Sequence, residues 1–73
     1  MAKTAITNTI RRLRFDADEM TQAELAEKIG VTRQTLLAIE AAKYSPTLEL
    51  AFKIAEVFKV PLDVVFQYMG EAV

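Results

Sequence analysis

The 73-residue sequence contains no cysteine and no histidine. Without cysteine there are no disulfides and no thiolate-held metal to stiffen so short a chain. Histidine is the commonest general base, and its absence comes with dispersed carboxylates and no glycine-rich phosphate loop, so neither an enzyme, a cofactor nor a metal is expected. Only two glycines and two prolines punctuate the chain. No apolar run approaches the ~18 residues of a membrane span. The opening Met1-Ala2-Lys3-Thr4 has no apolar stretch of the kind a secretion signal carries, so the expectation is a cytoplasmic protein without a membrane partner. A large charge excess is also missing. The formal net charge is −1, the wrong sign for a protein that holds nucleic acid by bulk electrostatics. Residues 1–43 carry seven basic and six acidic side chains, whereas the remainder carries two and four. Local placement must therefore decide what the chain attracts.

What is present is apolar periodicity. Hydrophobic positions recur at spacings of three and four, and β-branched residues are scattered, which predicts one all-α domain over 1–73 with no strand. A first helix is expected from about Thr7 to Ala17, with Ile6, Ile10, Leu13 and Ala17 along one stripe. Thr21-Gln22-Ala23-Glu24 matches a capping box, in which the threonine hydroxyl and the glutamate reciprocally satisfy orphan N–H groups. The second helix then runs to Ile29 and stops at Gly30, which takes a positive φ without a Cβ penalty. Thr32 caps a third helix closing near Ala41. Pro46 bars continuation and Thr47 caps a fourth helix, Leu48 to Phe58, with the stripe Leu48, Ala51, Ala55 and Phe58. Lys59-Val60-Pro61 breaks it before a fifth helix from about Leu62 to Tyr68, which brings Leu62, Val65 and Phe66 to the core. Gly70 to Val73 should fray. A chain of this size buries only about 60% of the surface its unfolded form exposes, so self-association is expected.

The most informative stretch is Gln22 to Ala41. Two short helices must cross closely over a connection of roughly three or four residues. The fifth residue of the stretch should be small and the ninth should tolerate positive φ. They are Ala26 and Gly30, while Leu25, Ile29, Val31, Leu36 and Ile39 occupy the inward places. An ordinary helical hairpin does not require this combination.

The run T-Q-A-E-L-A-E-K-I-G-V-T-R-Q-T-L-L-A-I-E, followed by A-A-K-Y-S-P-T-L-E-L-A-F-K-I-A, resembles the Cro/repressor-like (XRE-type) helix-turn-helix regulators over about Ile10 to Tyr68. The resemblance implies a five-helix lambda-repressor-like DNA-binding domain, a homodimer, and double-stranded DNA with paired half-sites as partner. It also points to an ion pair between Arg14 and Glu40, which the inward position of Glu40 requires on its own account. Two departures stand out. The loop Asp16 to Glu19 is one residue longer than the usual form, and Ala41-Ala42 replaces the common Asn-Gly. Ala42 must then adopt a left-handed conformation or let the helix run on.

In such a motif the leading residues of the second helix meet base edges. Arg33 suits O6 and N7 of guanine, Gln34 suits N6 and N7 of adenine, and Leu37 and Ala38 suit thymine methyls. Gln22, Thr32, Thr35, Lys43 and Tyr44 are the candidate phosphate contacts, which set register without reading sequence. Val64 and Tyr68, four apart on the expected fifth helix and outside its core stripe, are the candidate dimer surface. The leading expectation is a transcriptional regulator that represses by occlusion. The alternative is a protein-interaction module, such as an antitoxin-type partner, using Val64, Tyr68 and Met69 or the apolar recognition face.

Overall fold

The computed structural model describes residues 4–43 and 45–68, so Tyr44, Met69 and the expected fraying of Gly70 to Val73 lie outside the described residues. Five helices and two short strands follow in the order β1 Ile6–Asn8, α1 Ile10–Asp16, α2 Gln22–Ile29, α3 Arg33–Glu40, α4 Leu48–Phe58, α5 Leu62–Val65 and β2 Phe66–Tyr68. The core is assembled from all five helices. Ile10, Leu25, Ala26, Ile29, Leu36, Ile39, Ile54, Ala55 and Val65 are buried in one cluster, with Leu13, Met20, Val31, Leu50, Phe58, Leu62 and Phe66 packed around it.

Three helices start on a threonine whose hydroxyl accepts the N–H three residues on: Thr21 from Glu24, Thr32 from Thr35 and Thr47 from Leu50. Such a cap satisfies one of the four N–H groups that lack an intrahelical partner. The ends are equally regular. After α2, Val31 N–H donates to Ala26 O at 3.0 Å around left-handed Gly30 (φ +78°). After α3 and α4 the same closure is made around Ala42 (φ +59°) and Lys59 (φ +56°), neither of them glycine. Ala42 thus takes the left-handed option. The longer loop after α1 turns instead on two residues at positive φ, Asp18 and Glu19, and is closed by the Met20 N–H donating to Arg14 O at 2.9 Å.

The structure corrects the sequence reading at both ends of the fold. Residues 6–8 are not helix but pair antiparallel with 66–68, in the register Ile6–Tyr68, Thr7–Gln67 and Asn8–Phe66. Ile6 therefore belongs to a strand rather than to the α1 stripe, and the fifth helix ends at Val65. The segments Ile6-Thr7-Asn8 and Phe66-Gln67-Tyr68 are rich in β-branched and aromatic residues, which lose rotamer freedom in a helix and fit a pleated surface. A second correction concerns α4. Leu48 is 68% exposed, whereas Ile54 is fully buried. Leu48 follows the cap directly, and the inward stripe is carried by Ala51, Ile54 and Ala55, at the three and four residue spacing of one helix face.

No helix among the described residues is long and apolar enough to cross a membrane.

Candidate nucleic-acid interface

The site is built on the crossing of α2 and α3. Thr21 and Glu24 close the capping box, the Glu24 N–H donating to Thr21 Oγ1 at 3.0 Å and the Thr21 N–H to Glu24 Oε1 at 2.8 Å. The Thr21 backbone N–H first, and its hydroxyl second, hold the Glu24 carboxyl below its usual value. The connection Gly30-Val31-Thr32 then turns the chain sharply. Leu25, Ala26 and Ile29 of α2 and Leu36 and Ile39 of α3 are buried against one another and the core. With that face of α3 committed inward, its other face is left to solvent.

The outward face begins with Arg33 and Gln34, both exposed on the first turn of α3, and continues through Leu37, which is 45% exposed, to half-buried Ala38 and exposed Ala41. Arg33 makes no ion pair with a described residue. Gln22 is half-buried at the start of α2, and it lines one shallow depression together with Arg33, Ala23 and Arg11. The structure thus brings Gln22 and Arg33 to the lining of one depression. Arg11, also in that depression, was not singled out in the sequence, because its place on the flank of α1 does not reveal which neighbour it faces.

Glu40 is the only acidic residue between Lys28 and Leu48, and it points away from that surface. Arg14 Nε donates to Glu40 Oε2 at 2.8 Å and a terminal guanidinium nitrogen to Oε1 at 3.0 Å. The side chains are 14% and 9% exposed. The other terminal nitrogen of Arg14 donates to Met20 O at 2.9 Å, so one guanidinium joins α1, the following loop and α3. Gln22 Nε2 donates to Glu40 Oε1 at 3.2 Å and brings in α2. An amide nitrogen carries two protons, which leaves Gln22 one for an outside acceptor. With its carboxylate turned inward and paired, α3 itself sets no negative charge beside Arg33 or, beyond its end, Lys43, while Glu19 of the loop after α1 lines the same depression as Arg33. A net charge of −1 is therefore compatible with a locally positive face.

Thr32 and Thr35 differ in what they have left to offer. The Thr32 hydroxyl accepts the Thr35 N–H at 3.1 Å and donates to Thr35 Oγ1 at 3.0 Å, so both its roles are filled. Thr35 keeps its hydroxyl proton, but it is half-buried and lines a cavity with Thr47, Leu50 and Lys53 at the start of α4. Lys43 is exposed just after Ala42, its own N–H donating to Ala38 O at 3.0 Å. Val64 and Tyr68 are both exposed, but they sit on α5 and on β2 respectively rather than one turn apart on one helix. No group of three or more metal-ligating carboxylates is found among the described residues.

Two short helices at a glycine-cornered turn, the second with one face in the core and the other open to solvent, define a helix-turn-helix protein. A sequence model of the helix-turn-helix family matches residues 10–65, and the chain belongs to the XRE-type helix-turn-helix family of DNA-binding transcriptional regulators, a non-enzyme kind of protein. Among its relatives, an uncharacterized HTH-type transcriptional regulator of Methanocaldococcus jannaschii is 55% identical over 49 residues, covering 67% of this chain and 74% of that protein. One from Archaeoglobus fulgidus is 48% identical over 52 residues, covering 71% and 74%. The cryptic phage CTXphi transcriptional repressor RstR of Vibrio cholerae is 41% identical over 56 residues, which are 77% of this chain and half of that one. A solved structure from Bacteroides fragilis shares the fold, with a TM-score of 0.75 at 24% identity over 85% of this chain and 98% of that one.

Proposed function

We propose that the chain is a sequence-specific transcriptional repressor, residues 1–73 acting as one helix-turn-helix domain that binds double-stranded DNA as a homodimer. One observation carries the reading: α3 leads with exposed Arg33 and Gln34 while its sole carboxylate is turned inward onto Arg14. Arg33 and Gln34 read base edges from the major groove, and Leu37 with Ala38 meets thymine methyls. Gln22 offers its second amide proton to a phosphate oxygen, and Thr35 on α3 and Lys43 beyond its end add further phosphate contacts. Thr32 contributes through its backbone at the start of α3, since its hydroxyl is occupied. Tyr44 is assigned to the same group from the sequence alone.

The homodimer is supported by the small size of the chain and by its family resemblance, and sets two recognition helices in successive major grooves about 34 Å apart. Val64 and Tyr68 are the proposed contact between copies. Repression is supported by the likeness to RstR and acts by occlusion of the bound site.

Selection of bound duplexes from a random pool tests the assignment. The wild type should enrich a motif of two related half-sites. Arg33→Ala and Gln34→Ala should each relax the preference at one position per half-site, by about 1–3 kcal/mol for a lost bidentate pair. If both variants enrich the same motif with undiminished strength, the base-reading roles are wrong.

A further inference from the structure

We propose that Asn8 is a positioning residue for DNA recognition: from a strand paired with β2 it fixes the C-terminal turn of α3 and so sets the angle at which that helix meets the duplex. The proposal rests on the DNA-reading role of α3 given above.

The last carbonyls of a helix have no intrahelical donor. In α3, Leu37 O accepts from Ala41 N–H, Ala38 O from Lys43 N–H and Ile39 O from Ala42 N–H, each at 3.0 Å. Asn8 adds a donor from outside the helix, its Nδ2 lying 2.9 Å from Ile39 O and 3.4 Å from Glu40 O. Its Oδ1 accepts the Ile10 N–H at 3.1 Å. An amide engaged through both atoms has one orientation that satisfies all its partners.

The backbone carrying Asn8 is fixed as firmly as its side chain. Asn8 pairs with Phe66 across the strands. The next residue, Thr9, donates its N–H to Val65 O at 2.9 Å and its hydroxyl to Val64 O at 2.6 Å. From the same segment Thr4 N–H reaches Ala42 O at 3.3 Å. Thus α3 is held at its start by the short turn from α2 and at its far end by a strand outside the motif. Both strands also lie outside residues 10–65, the span matched by the family.

An eight-residue helix is about 12 Å long at 1.5 Å per residue. Freedom at its far end displaces Leu37 and Ala38 more than Arg33 and Gln34, which sit next to the turn.

Two variants isolate the hold. Asn8→Asp retains an oxygen for the Ile10 N–H but lacks the donor to α3, and Asn8→Ser retains a short acceptor without the reach and without a new charge. Each is compared with wild type by equilibrium binding to the selected duplex and to a scrambled one, at equal salt and well below each variant's Tm. Hydrogen exchange of the Ala42 and Lys43 amides monitors the end of α3 in the folded proteins.

The ratio of specific to scrambled affinity should fall roughly threefold to tenfold, the change that one net hydrogen bond corresponds to. The salt slope should stay the same, because the number of neutralised phosphates is unaltered. Exchange at the two amides should accelerate. A lowered Tm with an unchanged affinity ratio would overturn the proposal and leave Asn8 a purely structural residue. A wild type that prefers no duplex over the scrambled one would instead overturn the DNA-reading role itself, so the two failures are distinguishable.

Discussion

Gly30 and Ala42 form a natural pair for testing what left-handed backbone costs in this fold. Both close a helix of the motif, at φ +78° and +59°. A Cβ built on Gly30 meets nothing within 4 Å, so Gly30→Ala adds no clash and reports backbone conformation alone. The left-handed region costs a non-glycine residue about 1–2 kcal/mol. Against this, alanine restricts the unfolded chain and returns about 0.4–1 kcal/mol. The expected net loss is therefore about 1 kcal/mol. Ala42→Gly runs the argument backwards and should gain about 0.5 kcal/mol, less than the mirror value because half-buried Ala42 also gives up its methyl packing. In a domain of this length about 1 kcal/mol corresponds to a Tm change of roughly 4–8 °C. Thermal unfolding and urea titration should agree, with unchanged m-values showing that the native and denatured states stay comparable. Loss of stability in Ala42→Gly, or a neutral Gly30→Ala, would refute the reasoning.

Other outcomes follow from the same geometry. Glu40→Ala and Arg14→Ala each leave a charge stranded at a site where the partners are 9% and 14% exposed, and each should cost about 3 kcal/mol or more. The double variant should cost clearly less than the two losses combined, and strict additivity in the cycle would mean the pair is not coupled. Glu24 is held below its usual carboxyl value by the Thr21 N–H and hydroxyl. A depressed folded value means that its contribution is complete above the unfolded value and is lost as pH falls through the folded one. Glu24→Gln should therefore flatten the acid limb of the Tm profile, and an unchanged limb would show that the box does not titrate with folding. For association, Tyr68→Asp places a charge on a side chain that is 75% exposed in the single chain. It should shift sedimentation from dimer to monomer, and a fully dimeric variant would move the interface elsewhere.

The parts of this fold that were legible in the sequence are those fixed by neighbours in the chain. Thr21, Thr32 and Thr47 act on N–H groups three residues away, and Gly30 turns the chain where it stands. Such signals survive without knowledge of the tertiary structure. The strands were not legible, because Ile6–Asn8 and Phe66–Tyr68 find each other across the whole length of the motif and each is only three residues long. Their β-branched and aromatic residues favour a pleated surface, but over three residues that preference does not stand out from its helical surroundings. Asn8 shows the same limit. Its bond to the Ile10 N–H is a turn signal readable beside a helix start, but its bonds to Ile39 and Glu40 depend on where α3 lies. At the candidate interface, periodicity placed Glu40 inward and Arg33 and Gln34 outward. It did not reveal that Gln22 shares the Glu40 carboxylate, since that contact needs two helices at a known crossing.

Contacts between close neighbours form early in folding, whereas a pairing between the two extremities must wait until the intervening chain has been closed into a loop. The α2–α3 motif, whose partners are close in the chain, can therefore assemble before β1 and β2 close, and the bonds from Asn8 to the end of α3 follow the motif they join.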